Sequence, residues 1–179
     1  MFKQIELIVA RDKKYGIGLE GKIPWRCKED MEHFKKTTTR VSDSSKKNAI
    51  IMGRRTWESL RGKPLKDRVN ICLSRSPQMI ATCDTLTAAI NYANENPQVE
   101  KIFIIGGERV YQEALQTLKV EIIWMTVIKK EFPTDRNIRF IGKHLKDYKW
   151  CKLVKDTEEY CIWKYELSKC ERSNIPPSV

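Results

Sequence analysis

One stretch, residues 101–118, KIFIIGGERVYQEALQTL, limits the fold of this chain more than any other. Ile102, Phe103, Ile104 and Ile105 stand in an unbroken apolar row. A strand with one wet face alternates apolar and polar residues. A continuous run rich in β-branched residues suits a strand covered on both faces, as in the middle of a parallel sheet. Gly106 and Gly107 follow, and then Val110, Tyr111, Ala114, Leu115 and Leu118 recur at helical spacing. The chain is therefore expected to pass from strand to helix across two glycines. In open α/β sheets ligands bind beyond the carboxyl ends of the strands, and a helix N-terminus favours an anion. Gly106 and Gly107 have two readings: a tight turn that needs glycine, or backbone left bare for close approach of a ligand.

A chain of 179 residues with 41% apolar residues and five Trp is expected to fold as one globular domain. That domain is taken as residues 1–168, with a polar tail over 169–179. No apolar run approaches the roughly 20 residues of a membrane helix. The first residues lack the length and cleavage pattern of a signal peptide, so a soluble cytoplasmic protein is expected; a monomer is expected as well. Cys27, Cys72, Cys83, Cys151, Cys161 and Cys170 form no metal-binding or redox spacing, and free, partly buried thiols are expected. With only His33 and His144, a Ser-His-Asp enzyme is poorly supported. The net charge of +11 attracts polyanions. It suits nucleic acid, phosphorylated or carboxylated small molecules, or simply a lysine-rich solvated surface. An RNA-binding protein is an alternative that this charge supports, but no aromatic-basic RNA motif accompanies it, and any RNA binding is expected to be weak and salt-sensitive.

Taken in order, residues 5–10 read as a buried strand, and residues 11–23 as a glycine-containing loop suited to a lid. Gly16, Gly18 and Gly21 imitate a dinucleotide fingerprint, but Pro24 and Trp25 intervene before the next helix, so that reading fails. Residues 28–39 are helical. Met31, Phe34 and Lys35 lie near one face, and Asp30 stands one turn before Phe34. Asp30 is the acid beside apolar residues, whereas Glu29 suits an ordinary helix-start acid. Strands follow at 49–52, 69–73, 79–83 and 121–128. Arg54 and Arg55 at a helix start, and Ser74 and Arg75 after a strand, make an anion site plausible. Thr85 caps a helix with core face Ala88, Ala89, Tyr92 and Ala93. Phe132 and Pro133 begin an irregular stretch, and a hairpin closes the chain, with Cys161, Trp163, Tyr165 and Leu167 alternating with polar residues.

The motifs LIVARDKKYGIG, KIPW followed by KEDMEHF, NAIIMGRRTWESL, PLKDRVNICLSR and IIGGERVY stand in the order found in dihydrofolate reductases. Together they resemble that family, and the segment TTRVSDSSKKNA resembles its animal members. The resemblance implies an α/β fold: a mostly parallel eight-stranded central sheet flanked by four helices, with an antiparallel C-terminal hairpin. It implies NADPH as cofactor, dihydrofolate and antifolate-type inhibitors as ligands, and hydride transfer giving tetrahydrofolate.

Residue by residue, it implies that Asp30 holds the pterin, with Trp25 and Thr126 positioning the acid and a water. Ile8, Val9, Met31, Phe34, Leu60 and Ile105 resemble the apolar walls, Lys35 lies beside them, and Arg68 matches the arginine for the folate tail carboxylate. Ala10, Ile17, Gly18, Leu19, Gly21 and Lys22 resemble the nicotinamide side and lid. Gly53, Arg54, Arg55, Thr56, Leu73, Ser74, Arg75 and Ser76 resemble the 2′-phosphate side. Ile105, Gly106, Gly107, Glu108, Arg109, Val110 and Tyr111 resemble the pyrophosphate side, where the family's Gly-Gly bond is cis. No metal is implied. Glu108 departs from the bacterial third glycine, and Arg136 from a common threonine. A pyrimidine reductase of riboflavin synthesis is an alternative on this scaffold, but would not need Trp25, Asp30 or Arg68. An inactive relative is a further alternative, against which every site position is filled. No thymidylate synthase segment is attached, so a monofunctional chain is expected.

Overall fold

The structure, a computed structural model, describes residues 2–167; residue 168, the tail expected at 169–179 and Cys170 lie outside the described residues. In chain order come β1 (Ile5–Arg11), β2 (Gly16–Gly18), α1 (Lys28–Thr39), β3 (Lys47–Gly53) and α2 (Arg54–Ser59). Next are β4 (Arg68–Leu73), β5 (Ala81–Cys83), α3 (Leu86–Glu95), β6 (Val99–Ile104) and α4 (Glu108–Thr117). The last are β7 (Ile122–Ile128), β8 (Arg136–Asn137), α5 (Ile141–Leu145), β9 (Trp150–Asp156) and β10 (Tyr160–Glu166).

Eight strands form one sheet in the order β5-β4-β3-β6-β1-β7-β10-β9. The strands from β5 to β7 run parallel, and β10 pairs antiparallel with both β7 and β9. The apolar row after Lys101 is thus a strand flanked on both sides, as expected. Ile102 and Ile104 pack with α3 and α4 on one face, and Phe103 with Ile8, Met52 and Trp57 on the other. Phe103 is fully buried, and such burial stabilises by about 1.5–3 kcal/mol relative to exposure.

Four details differ from the expectations. Five helices, not four, flank the sheet among the described residues; α5 has five residues, too few to show a periodicity. The core face of α3 is Leu86, Ala89, Ile90 and Ala93, while Tyr92 is 46% exposed. The larger Leu86 and Ile90, one turn apart, outweigh a stripe read mainly from alanines. The expected loop after β1 contains β2, which pairs with β8 as a separate small sheet. In the terminal hairpin the more buried side of β10 is Tyr160 and Ile162, which pack with Ile128, Trp25 and Cys27. The opposite face, with Trp163 and Tyr165, is only partly covered.

Thr85 does cap α3, its Oγ1 accepting from Ala88 N at 3.1 Å. Cys27, Cys72, Cys83, Cys151 and Cys161 are free thiols, and no group of side chains suited to a metal occurs among the described residues. No helix among them is long and apolar enough to cross a membrane.

Candidate active site

Parallel strands place their carboxyl ends on one edge, and the backbone there is knitted before any side chain contributes. Gly53 N, at the end of β3, donates to Gly106 O at 2.8 Å. The Gly106-Gly107 peptide bond is cis, and Gly106 has φ +120, a conformation suited to glycine. A Cβ on Gly106 would lie 3.2 Å from the Tyr111 hydroxyl, and that hydroxyl donates to Ile8 O at 2.8 Å. The bare backbone of this turn therefore lets α4 close onto β1. Gly107 is the N-cap of α4 and supplies no side-chain cap, so the amides of the first turn have no capping oxygen.

The acid of the site comes from α1. Asp30 is half-buried, while Glu29, one residue earlier, is exposed. Thr126 lies on β7 and is buried at 2% exposure. Its Oγ1 donates to Asp30 Oδ1 at 2.6 Å, joining residues 96 positions apart. Burial pushes the Asp30 carboxyl above its usual range, and the Thr126 bond partly opposes this by favouring the anion. A cavity of about 580 Å³ opens beside it, lined by Ile23, Trp25, Arg26, Cys27, Asp30 and Met31. The Trp25 ring leans on Phe132 with centroids 5.6 Å apart.

Of the expected apolar walls, Ile8, Phe34, Leu60 and Ile105 come together in one cluster with Trp57 and Phe103. Val9 does not join them. Its side chain is buried on the opposite sheet face with Leu7 and Ile104, because neighbouring residues of a strand point to opposite faces. Met31 stands at the cavity lip, 57% exposed, and Lys35 is exposed one turn further on. Arg68 begins β4. Its Nη1 donates to Thr38 Oγ1 at 2.9 Å, its Nε donates to Lys66 O at 2.8 Å, and its guanidinium lies 5.9 Å from the Phe34 ring centroid.

The loop after β1 is pinned by Asp12, which is 1% exposed. Its Oδ1 accepts from Gly16 N at 2.7 Å and Lys14 N at 2.8 Å, and its Oδ2 from Phe132 N at 3.0 Å. Asp135 Oδ2 accepts from Glu20 N at 3.0 Å, and Arg136 pairs with Gly18 in the small sheet. Ile17 and Gly18 lie in β2, Leu19 and Lys22 exchange backbone bonds across a tight turn, and Gly21 takes φ +76 in it. Ala10 sits beside this loop near the end of β1.

A second cavity, of about 480 Å³, lies beyond β4 and β5 and is lined by Ser74, Arg75, Thr82, Cys83 and Asp84 among others. Ser74 Oγ accepts from Ser76 N at 3.1 Å. Arg54 does not line this cavity; its Nε donates to Glu58 Oε1 at 2.8 Å. Arg55 and Arg109 are exposed, and Thr56 Oγ1 lies 3.6 Å from where a Gly107 Cβ would be. Leu73 ends β4, and Glu108 and Val110 lie in the first turn of α4. A cation and hydroxyls at strand ends, with an uncapped helix start nearby, fit the phosphates of a nicotinamide dinucleotide.

Several lining residues escaped the sequence reading. Arg26 and Cys27 adjoin Trp25, and their signal was position alone. Cys83 ends β5 and Asp84 follows it, and the carboxyl end of that strand was the available clue. Glu6 is 3% exposed and accepts from Trp124 Nε1 at 2.7 Å, with Lys101 Nζ 3.7 Å away. An acid inside the apolar run IELIV was a readable signal for a buried charge. Burial pushes the Glu6 carboxyl up, against the Trp124 and lysine contacts.

The family model described as dihydrofolate reductase matches residues 4–166. A fruit-fly (Drosophila melanogaster) dihydrofolate reductase is 39% identical over 142 residues, covering 74% of this chain and 77% of that protein. A putative dihydrofolate reductase of Caenorhabditis elegans is 39% identical over 188 residues, covering 90% of this chain and 97% of that protein. A bifunctional dihydrofolate reductase-thymidylate synthase of carrot (Daucus carota) is 36% identical over 174 residues, covering 89% of this chain. The match spans only 33% of that longer carrot protein. A match that runs from β1 to the end of β10 takes in the Asp30 cavity, the Gly106-Gly107 turn and the whole sheet, and by it the chain belongs to the dihydrofolate reductase family.

Proposed function

We propose that this chain reduces 7,8-dihydrofolate to tetrahydrofolate with NADPH. The observation that carries the reading is the buried bond from Thr126 to Asp30 at the wall of an open, largely apolar cavity. Family membership and the names of the relatives support the same substrate.

NADPH, when bound, supplies the hydride. Asp30 accepts hydrogen bonds from the amino and ring N–H groups of the pterin, and as an anion it favours protonation of the nitrogen next to the reacting carbon. Thr126 holds Oδ1, so the carboxylate is oriented before the substrate arrives. Trp25 orders the water that brings the proton. Ile8, Phe34, Leu60 and Ile105 exclude other water and pack the flat rings. Arg68, held by Thr38 and the Lys66 carbonyl, takes the carboxylate of the folate tail, and antifolate-type inhibitors compete for the same groups. Ser74 and Arg75 would hold the 2′-phosphate, and the α4 N-terminus the pyrophosphate. Ala10, Ile17 and Gly18 would cover the nicotinamide.

The test is the loss of NADPH absorbance with purified protein and dihydrofolate. Steady, dihydrofolate-dependent consumption that an antifolate abolishes is expected. No consumption by folded protein, or consumption independent of dihydrofolate, would overturn the reading.

A further inference from the structure

The cavity beyond β4 and β5 carries opposite charges that do not neutralise each other. Arg75 and Asp84 both line it, and both are exposed. Ser74 N donates to Cys83 O at 2.9 Å, which lays the Ser74–Arg75 segment beside the segment that leads into Asp84. Yet no ion pair joins Arg75 to Asp84 among the described residues. Each charge is thus open to a ligand. The other arginine expected here, Arg54, is turned to Glu58. Asp84 has no part in capping α3, because Thr85 does that.

In dinucleotide sites an acid commonly accepts from the free ribose 2′-hydroxyl, whereas an arginine accommodates a 2′-phosphate. This cavity holds one of each. We infer that Asp84 is a specificity-determining residue that holds down the preference for a 2′-phosphorylated dinucleotide. It repels the phosphate dianion and offers an acceptor to a free hydroxyl. The enzyme therefore takes NADH more readily than Arg75 alone would allow. This inference rests on the reading that the cavity receives the 2′-phosphate end of the cofactor.

Calorimetric titration of the full chain separates the two. Wild type, Asp84→Asn and Arg75→Ala are titrated with NADPH, NADH, adenosine 2′,5′-bisphosphate and 5′-AMP. Asp84→Asn should tighten the two 2′-phosphorylated ligands about three- to tenfold at low salt, and the gain should fade near about 0.5 M salt. NADH and 5′-AMP should bind no better. Arg75→Ala should weaken the 2′-phosphorylated ligands about tenfold or more and spare the others. If Arg75→Ala erases the preference but Asp84→Asn leaves it unchanged, Asp84 has no such role and the phosphate site stands. Equal tightening of all four ligands by Asp84→Asn also overturns the inference, since the effect would then be general charge. If neither variant moves the preference, the phosphate lies elsewhere and the underlying reading falls too.

Discussion

Replacing Asp30 by Asn tests the centre of the proposed mechanism, and it has two consequences of opposite sign. Asparagine keeps the shape and an Oδ1 acceptor for the Thr126 hydroxyl, so the geometry survives and only the charge is lost. Opposite charges about 4 Å apart at an effective dielectric near 20 interact by about 4 kcal/mol. Loss of a preorganised electrostatic partner typically costs about 10²–10³-fold in rate. Single-turnover consumption of bound NADPH near pH 7.5 should fall by about that factor. The deficit should shrink as pH falls, because solution protons then pre-protonate the substrate while wild-type Asp30, its pKa raised by burial, loses its own charge. Stability should move the other way. A carboxyl whose folded pKa is raised above its unfolded value destabilises the native state at pH above the folded value, and not below the unfolded one. The ligand-free variant should therefore melt higher than wild type at neutral pH, with the gain vanishing as pH falls. Exposed Glu29, changed to Gln, should alter neither property. Near-normal hydride transfer by Asp30→Asn at neutral pH, or a crippled Glu29→Gln, would refute the assignment.

Thr126→Val removes a donor that favours ionised Asp30. The apparent pKa of the pH–rate profile should rise, and kcat/KM near neutral pH should fall roughly tenfold; an unmoved profile would mean that Thr126 only packs. Arg68→Leu should weaken folate binding by about 2–4 kcal/mol and leave NADPH binding intact, as equilibrium titrations would show. Trp124→Phe strips a hydrogen bond from buried Glu6, whose pKa is already raised. Urea denaturation should show a loss of about 1–3 kcal/mol that grows as pH rises and Glu6 ionises.

The sheet was legible because buried parallel strands announce themselves as unbroken apolar rows. The rows around Leu7, Ile51, Ile71 and Ile104 all became strands; β1 and β3 close on Arg11 and Gly53, β4 stops before Ser74, and β6 stops at Ile104, one residue before its apolar row does. What escaped were elements too short for a period to develop. β2 and β8 span three and two residues, and they exist because the backbone of Gly16 and Gly18 finds partners in a segment far along the chain. A Cβ on Gly16 would lie 2.4 Å from Thr134 Cγ2, so that pairing needs glycine there; a linear reading sees only a flexible loop.

The candidate site divides along the same physical line. Helix spacing put Asp30 beside Met31 and Phe34, and family motifs named Thr126, but no local pattern shows that one hydrogen-bonds the other across 96 residues. Such contacts are set by strand order, which places β7 beneath α1. Side-chain pairing was less accessible still. Arg54 and Arg75 look equivalent as basic residues after strands, yet Arg54 meets Glu58 one helical turn on and Arg75 does not meet Asp84 across the cavity. The first pairing is an i,i+4 geometry that sequence encodes. The second is the absence of a pairing, and only the placed backbones of β4 and β5 reveal that both charges line one cavity. Charge count alone therefore overstates the positive charge left free on this edge: one of its two expected arginines is partly neutralised, and the other shares its cavity with an acid.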